Sequence, residues 1–195
     1  MAILVKSSTA VSDKNRWATT QECFNDAQYL FGRPFTIDVC AEPATAKVNR
    51  FFVSPDFFRF TDWATQLIQH EHNKIAGVDA LSQDWPDGWW CNPPFDHKPE
   101  FLAYAIKQAK AGRSGMMLLP HEPITGWWRE LVEDVAPIVY TPDGRYPFYE
   151  VDGKTKKQGV NFGSSLILFT PHYIRRTEYV PFNRNIAKQQ IKESK

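Results

Sequence analysis

The chain has no apolar run long enough to cross a bilayer, which takes about 20 residues in a helix. Its opening Met-Ala-Ile-Leu-Val-Lys carries neither a charged leader nor an extended apolar region. Membrane insertion and secretion are therefore not expected, and a cytoplasmic location is. Cysteine is scarce: Cys23, Cys40 and Cys91 are scattered without paired spacing, so neither a disulfide framework nor a zinc site is expected. His70 and His72 are close in sequence, but no Cys or acidic residue is spaced to complete a ligand set, and no metal is expected. Gly-x-Gly-x-x-Gly is absent, which disfavours a standard dinucleotide site. An excess of one charge is lacking too, with 23 Lys+Arg against 22 Asp+Glu.

What is present is globular in character. Hydrophobic residues make up 43% of the chain and aromatics 14%, leaving rings to spare for a binding surface. The length of 195 residues favours a single core. We expect a flexible N-terminus over residues 1–15 and one domain over 16–173. A basic tail is expected over 174–195, where six Lys/Arg stand against two Glu. Such a tail suits phosphates, although a solvated chain end reads the same way.

The apolar patterning predicts an α/β fold. Thr20 can cap a helix that Gly32 ends, and Phe35–Cys40 is a β-branched alternating strand. The stretch 41–60 is interrupted by Pro43 and Pro55 and shows no clear element. A helix capped by Asp62 leads to a strand over 74–78 that closes at Asp79. Strands over 88–91, 115–120 and 136–140 then alternate with helices over 100–111 and 124–133. This order implies right-handed crossovers and an open, mostly parallel sheet. The last runs, 145–151 and 160–169, are joined by a polar 152–158 segment and predict a C-terminal antiparallel hairpin, hence a mixed sheet.

Ligands of such sheets bind at the carboxyl ends of the strands, where Asp38, Asp79 and Asn92 fall. Asn92-Pro93-Pro94-Phe95 is the most informative run. Two prolines remove two backbone donors and fix two φ angles, and residue 92 is driven towards an extended conformation. The turn is stiff, and its carbonyls face no competing N–H. The Asn92 side-chain oxygen and the Pro93 carbonyl can each accept one hydrogen of an exocyclic amine, raising the nitrogen's nucleophilicity towards a sulfonium methyl. Phe95 offers a face for stacking the base, worth about 1–3 kcal/mol. A plain strand-exit turn is the alternative. Asp38 is placed for a cofactor ammonium or a nearby backbone, and Asp79 for the cofactor's adenine amine with Leu81 beneath the ring. Capping is the common alternative for either carboxylate.

Taken in order, Trp17-Ala18-Thr19-Thr20, Phe35 to Ala41, Asp79 to Trp85 and Trp90 to Phe95 resemble the phage-type Dam DNA adenine-N6 methyltransferases. Met117 to Pro120, Trp127-Trp128, Gly144 to Phe148 and Ser164-Ser165 continue the likeness, which covers roughly residues 16–170. The resemblance implies a Rossmann-like fold, S-adenosylmethionine as donor and adenine in double-stranded DNA as substrate. It implies that Asn92, Pro93, Pro94 and Phe95 form the catalytic turn. It places Asp38 and Asp79 in the cofactor pocket, and extends the candidate set to Trp17, Thr19, Cys40, Ala41, Leu81 and Asn92. Two departures stand out: Thr19-Thr20 replaces the family's usual Thr-Pro, and the 54–73 segment is longer than usual.

Flipping an adenine requires a grip on the duplex. Lys154, Lys156 and Lys157 at the 152–158 turn and Arg145 are the candidate DNA-binding residues, with a solvated turn as the alternative. No obligatory protein partner is evident. GATC as target and restriction protection in a phage or prophage follow from family analogy alone. Methylation of protein glutamine N5 or of cytosine N4 are rival activities. A catalytically inactive DNA-binding module is the non-enzymatic rival.

Overall fold

The computed structural model describes residues 15–60, 63–70, 74–172 and 174–193. The N-terminal segment before Asn15, the cap assigned to Asp62, and His72 lie outside the described residues. In chain order the elements are β1 (Ala18–Thr19), α1 (Gln21–Phe31), β2 (Ile37–Asp38), β3 (Arg50–Val53), α2 (Phe57–Phe60), α3 (Trp63–Gln69), β4 (Lys74–Val78), β5 (Trp89–Cys91), α4 (Lys98–Lys110), β6 (Gly115–Pro120), α5 (Gly126–Leu131), β7 (Ile138–Pro142), β8 (Phe148–Tyr149), β9 (Ser164–Phe169), β10 (Glu178–Phe182) and α6 (Ile186–Glu193). Eight strands form one sheet in the order β10-β7-β9-β6-β5-β2-β3-β4. β9 runs antiparallel to both neighbours, and every other pairing in this sheet is parallel. The α/β class and the mixed, mostly parallel sheet expected from the sequence are thus present.

The central strands are apolar at consecutive positions because both faces are covered. Trp89, Cys91, Met117, Leu119 and Ile167 turn to one face, where α4 brings Phe101, Leu102 and Ala105, and Trp128 of α5 joins them. Trp90, Met116, Leu118 and Leu166 turn to the other, against Cys23, Phe24 and Ala27 of α1. A fully buried side chain of this size contributes about 1.5–3 kcal/mol by leaving water. The Thr20 hydroxyl caps α1 by accepting from Cys23 N at 3.4 Å, and Gly32 closes it at φ 79°.

Four readings of the sequence are corrected. The runs 145–151 and 160–169 do not form a hairpin with each other. Phe148 and Tyr149 pair antiparallel with Thr19 and Ala18, and a single bridge from Tyr149 to Lys156 closes the polar turn. Ser164–Phe169 is instead drawn between β6 and β7, because its consecutive apolar side chains need cover on both faces. The described part of the expected 174–195 tail, residues 174–193, is not loose: β10 pairs parallel with β7, and α6 follows it. The charge count hid an apolar strand, whose Phe182 packs against Tyr140 at 6.5 Å. The buried Asp26 carboxylate then accepts from Asn185 N at 2.8 Å, Ala187 N at 3.1 Å and the Tyr146 hydroxyl at 2.7 Å. Finally, 41–60 contains β3, whose Phe51, Phe52 and Val53 are buried, and the expected strand 35–40 is hydrogen-bonded as a strand only at Ile37–Asp38.

Candidate active site

Strand succession reverses direction between β2 and β5, and open sheets take ligands at such a switch. A cavity of about 460 Å³ opens there, within the range of small-molecule sites. Val39 and Cys40 after β2, Val53 to Phe57 after β3, and Asp79 to Leu81 after β4 line it. Pro94 of the Asn-Pro-Pro-Phe turn, with His97 and Phe101 beyond it, closes one side. Asn15, Arg16 and Glu42 complete the rim.

The turn is held from an unexpected direction. The Asn92 side-chain nitrogen donates to the Trp17 carbonyl at 2.9 Å. A backbone carbonyl only accepts, so the amide is fixed with Nδ2 towards Trp17 and Oδ1 left as an acceptor. Trp17 is in turn locked by its ring. It meets Phe95 edge-on at 5.1 Å, stacks parallel to Phe162 at 6.1 Å and lies 6.0 Å from Phe148. Asn15 and Asp96 exchange two hydrogen bonds of 3.1 Å just past the turn. Lys98 Nζ lies over the Phe95 ring at 5.6 Å and the Trp127 ring at 5.5 Å.

The two strand-end carboxylates part company. Asp38 is buried beneath the loop, and its oxygens accept from Cys40 N at 3.2 Å and Lys47 N at 3.1 Å. Burial raises its pKa from 3.8 to about 6 against the opposing pull of those hydrogen bonds. It shapes the cavity wall from below and does not line it. Asp79 does line it. Its φ of 59° is unusual for a residue with a side chain and is held because Oδ1 caps the 3-10 turn Ala80–Ser82 by accepting from Leu81 N at 3.2 Å. Leu81 and Cys40 face the cavity, whereas Ala41 packs against the Phe51 cluster. Thr19 is buried in β1, and Trp17 contacts the Asn-Pro-Pro-Phe turn without lining the cavity.

Of the DNA-binding candidates, Arg145, Lys154 and Lys156 are exposed. Lys157 is not: only 6% of its side chain is accessible. Its ammonium pairs with Glu150 at 3.0 Å and lies 5.3 Å over the Trp17 ring. The turn containing Gly153 (φ 68°) packs on the 44–45 backbone, where an added Cβ would come within 2.4 Å of the Ala44 oxygen. His121 binds the Ser165 hydroxyl at 2.7 Å and does not reach the cavity. Among the described residues no cluster of His, Cys, Asp or Glu is built to hold a metal, and no helix is long and apolar enough to cross a membrane.

Sequence reasoning missed Asn15, Arg16 and Glu42. A signal existed: Glu42 follows the β2 end by four residues, and Arg16 adjoins the Trp17 motif. Arg16 grips Glu42 bidentately, Nε to Oε1 at 2.6 Å and a terminal nitrogen to Oε2 at 2.8 Å.

The fold is that of the class I S-adenosylmethionine-dependent methyltransferases. A solved structure from Listeria monocytogenes described by that class matches with a TM-score of 0.52 at 11% identity, over 96% of this chain and 72% of that one. The profile of the DNA N-6-adenine-methyltransferase (Dam) family matches residues 69–193, and the chain belongs to that family. A DNA N-6-adenine-methyltransferase of Haemophilus phage HP1 is 29% identical over 171 residues, which is 87% of this chain and 86% of that protein. The chain is accordingly an adenine-directed DNA methyltransferase with S-adenosylmethionine as methyl donor.

Proposed function

We propose that the chain methylates N6 of an adenine flipped out of duplex DNA, using Asn92 Oδ1 and the Pro93 carbonyl as the two acceptors for the amine. The carrying observation is the bond from Asn92 Nδ2 to the Trp17 carbonyl, which commits the amide's donor end and leaves Oδ1 to the substrate. Two acceptors drawing on the amine hydrogens leave the nitrogen lone pair available for attack, and the rigid turn needs no reorganisation as this happens. Phe95, edge-packed by Trp17 and Phe162, supports a fixed stacking face for the base. Phe57, Leu81 and Phe101 suit an adenine ring in the cavity, and Asp79 a donor at its edge. The chemistry that S-adenosylmethionine supplies when bound is an electrophilic methyl on sulfonium, already attached to a good leaving group. Lys154, Lys156 and Arg145 are our DNA contacts, and GATC is the first target to try, on family analogy.

The test is product identification. Labelled S-adenosylmethionine is incubated with duplexes that contain or lack GATC, the DNA is digested, and the nucleosides are separated. Label in N6-methyladenine is expected; label in N4-methylcytosine, or in protein glutamine instead of DNA, overturns the proposal. Asn92→Ala is expected to slow transfer by about 10²–10³-fold or more. Its affinity for S-adenosylhomocysteine should stay unchanged, and loss of that affinity would mean Asn92 has a different role.

A further inference from the structure

We infer that Arg16 and Glu42 form the site for the amino-acid end of the cofactor, with Glu42 taking its α-ammonium and Arg16 its α-carboxylate. This rests on the cavity being the S-adenosylmethionine site. The two side chains line that cavity together and are paired, with 24% and 15% of their surfaces accessible. A partly buried ion pair stabilises a fold weakly, because desolvation offsets the attraction. Its position on a ligand wall therefore points beyond stability.

Charge and position both fit. The amino-acid end of the cofactor is a zwitterion, with one cation and one anion a single carbon apart. An existing cation–anion pair exchanges partners with such a group and leaves four alternating charges, so the amino-acid end itself adds no net charge to the cavity. A carboxylate offers about four acceptor positions, and Arg16 donates to one on each oxygen of Glu42. A guanidinium matches the planar carboxylate in the same bidentate manner.

The methyl must lie beside the Asn92–Phe95 turn. Arg16 is flanked by the two residues that bind that turn, Asn15 through Asp96 and Trp17 through Asn92. The short amino-acid branch, which starts at the sulfur, therefore falls within reach of the Arg16–Glu42 pair. The longer adenosine branch is then directed across the strand ends to β4 and Asp79, at the opposite end of the order β5-β2-β3-β4. The other carboxylates are less suited to the ammonium: Asp38 is buried with both oxygens on backbone N–H groups, Asp56 is exposed and pairs with Arg59 at 3.4 Å, and Asp79 lies at the far strand.

The test is calorimetric binding of three compounds to the full chain and to Glu42→Gln and Arg16→Gln. S-adenosylhomocysteine has both charged groups, its decarboxylated form keeps only the amine, and 5′-methylthioadenosine has neither. Losing one charge-assisted contact corresponds to about 10–100-fold. Glu42→Gln should weaken the first two compounds by that factor and spare 5′-methylthioadenosine. Arg16→Gln should weaken S-adenosylhomocysteine and spare the other two. An equal loss for all three compounds would make the pair a structural brace, and no loss for any would remove it from binding; either overturns the inference. If the unaltered chain binds none of the three, the assignment of the cavity itself fails.

Discussion

At the scale of single residues, Asp38 sets a measurable pH dependence. Its native pKa of about 6 lies above the ordinary 3.8, so the folded chain holds this proton more tightly than the unfolded one. Its contribution to stability is complete below about pH 4 and is lost as pH rises through about 6. Denaturant unfolding of the wild type and Asp38→Asn between pH 4 and 7 should therefore diverge. The wild type should lose on the order of 2 kcal/mol relative to the variant as pH rises. A pH-independent difference would refute the assignment. The sequence told correctly that Asp38 lies at the carboxyl end of a strand. Which way its side chain turns depends on the loop to Lys47 folding back over it, a contact nine residues away that no local pattern encodes. Asp79 and Asn92 were legible because each is held at the strand end itself, by a cap two residues on and by proline stiffness.

At the scale of elements, the turn between Phe148 and Lys157 joins the DNA question to the catalytic one. Its tip is pinned on the 44–45 backbone, and its base pairs with β1. Exposed Lys154 and Lys156 are free of the Trp17 cluster, whereas Lys157 is part of it. Replacing Lys154 and Lys156 together with Ala should weaken duplex binding and reduce the slope of log affinity against log salt by about 2. Lys157→Ala should leave that slope unchanged and instead slow methyl transfer by loosening Trp17. A reduced slope in Lys157→Ala would show that its ammonium reaches phosphate after all. Three lysines in four residues look alike in sequence. The fold separates them because the bridge from Tyr149 to Lys156 turns the next side chain inward, onto Glu150 and Trp17. The same limit applies to pairing. Extended runs at 145–151 and 160–169 were recognisable, but strand patterning carries no record of the partner, and burial on both faces drew the second run into the sheet centre.

At the scale of the whole molecule, the C-terminal segment is structural. Ending the chain at residue 173 removes β10, uncovers Tyr140 and takes two backbone donors from the buried Asp26 carboxylate. Each buried group left without its partner costs about 1–3 kcal/mol, a large share of a typical domain's stability. The truncated chain should lose its cooperative melt and become insoluble; a soluble chain with an unaltered melting temperature would return 174–195 to the status of a tail. Net charge concealed this because the basic residues Arg175, Arg176 and Arg184 flank the apolar Tyr179, Val180 and Phe182, and a sum over a segment erases their order.

Asn15, Arg16 and Trp17 leave the ribosome before their partners Asp96, Glu42 and Asn92, and Ala18 and Thr19 wait for Tyr149 and Phe148. At about 5–20 residues per second, synthesis leaves this strap unseated for several seconds. Contacts so distant in sequence also form late when a finished chain folds. A stalled chain that stops before Phe148 therefore has strand ends for a cofactor but lacks the Phe148, Lys157 and Phe162 contacts that complete the packing of Trp17. Methylating activity is in this sense a report that synthesis has passed Phe162.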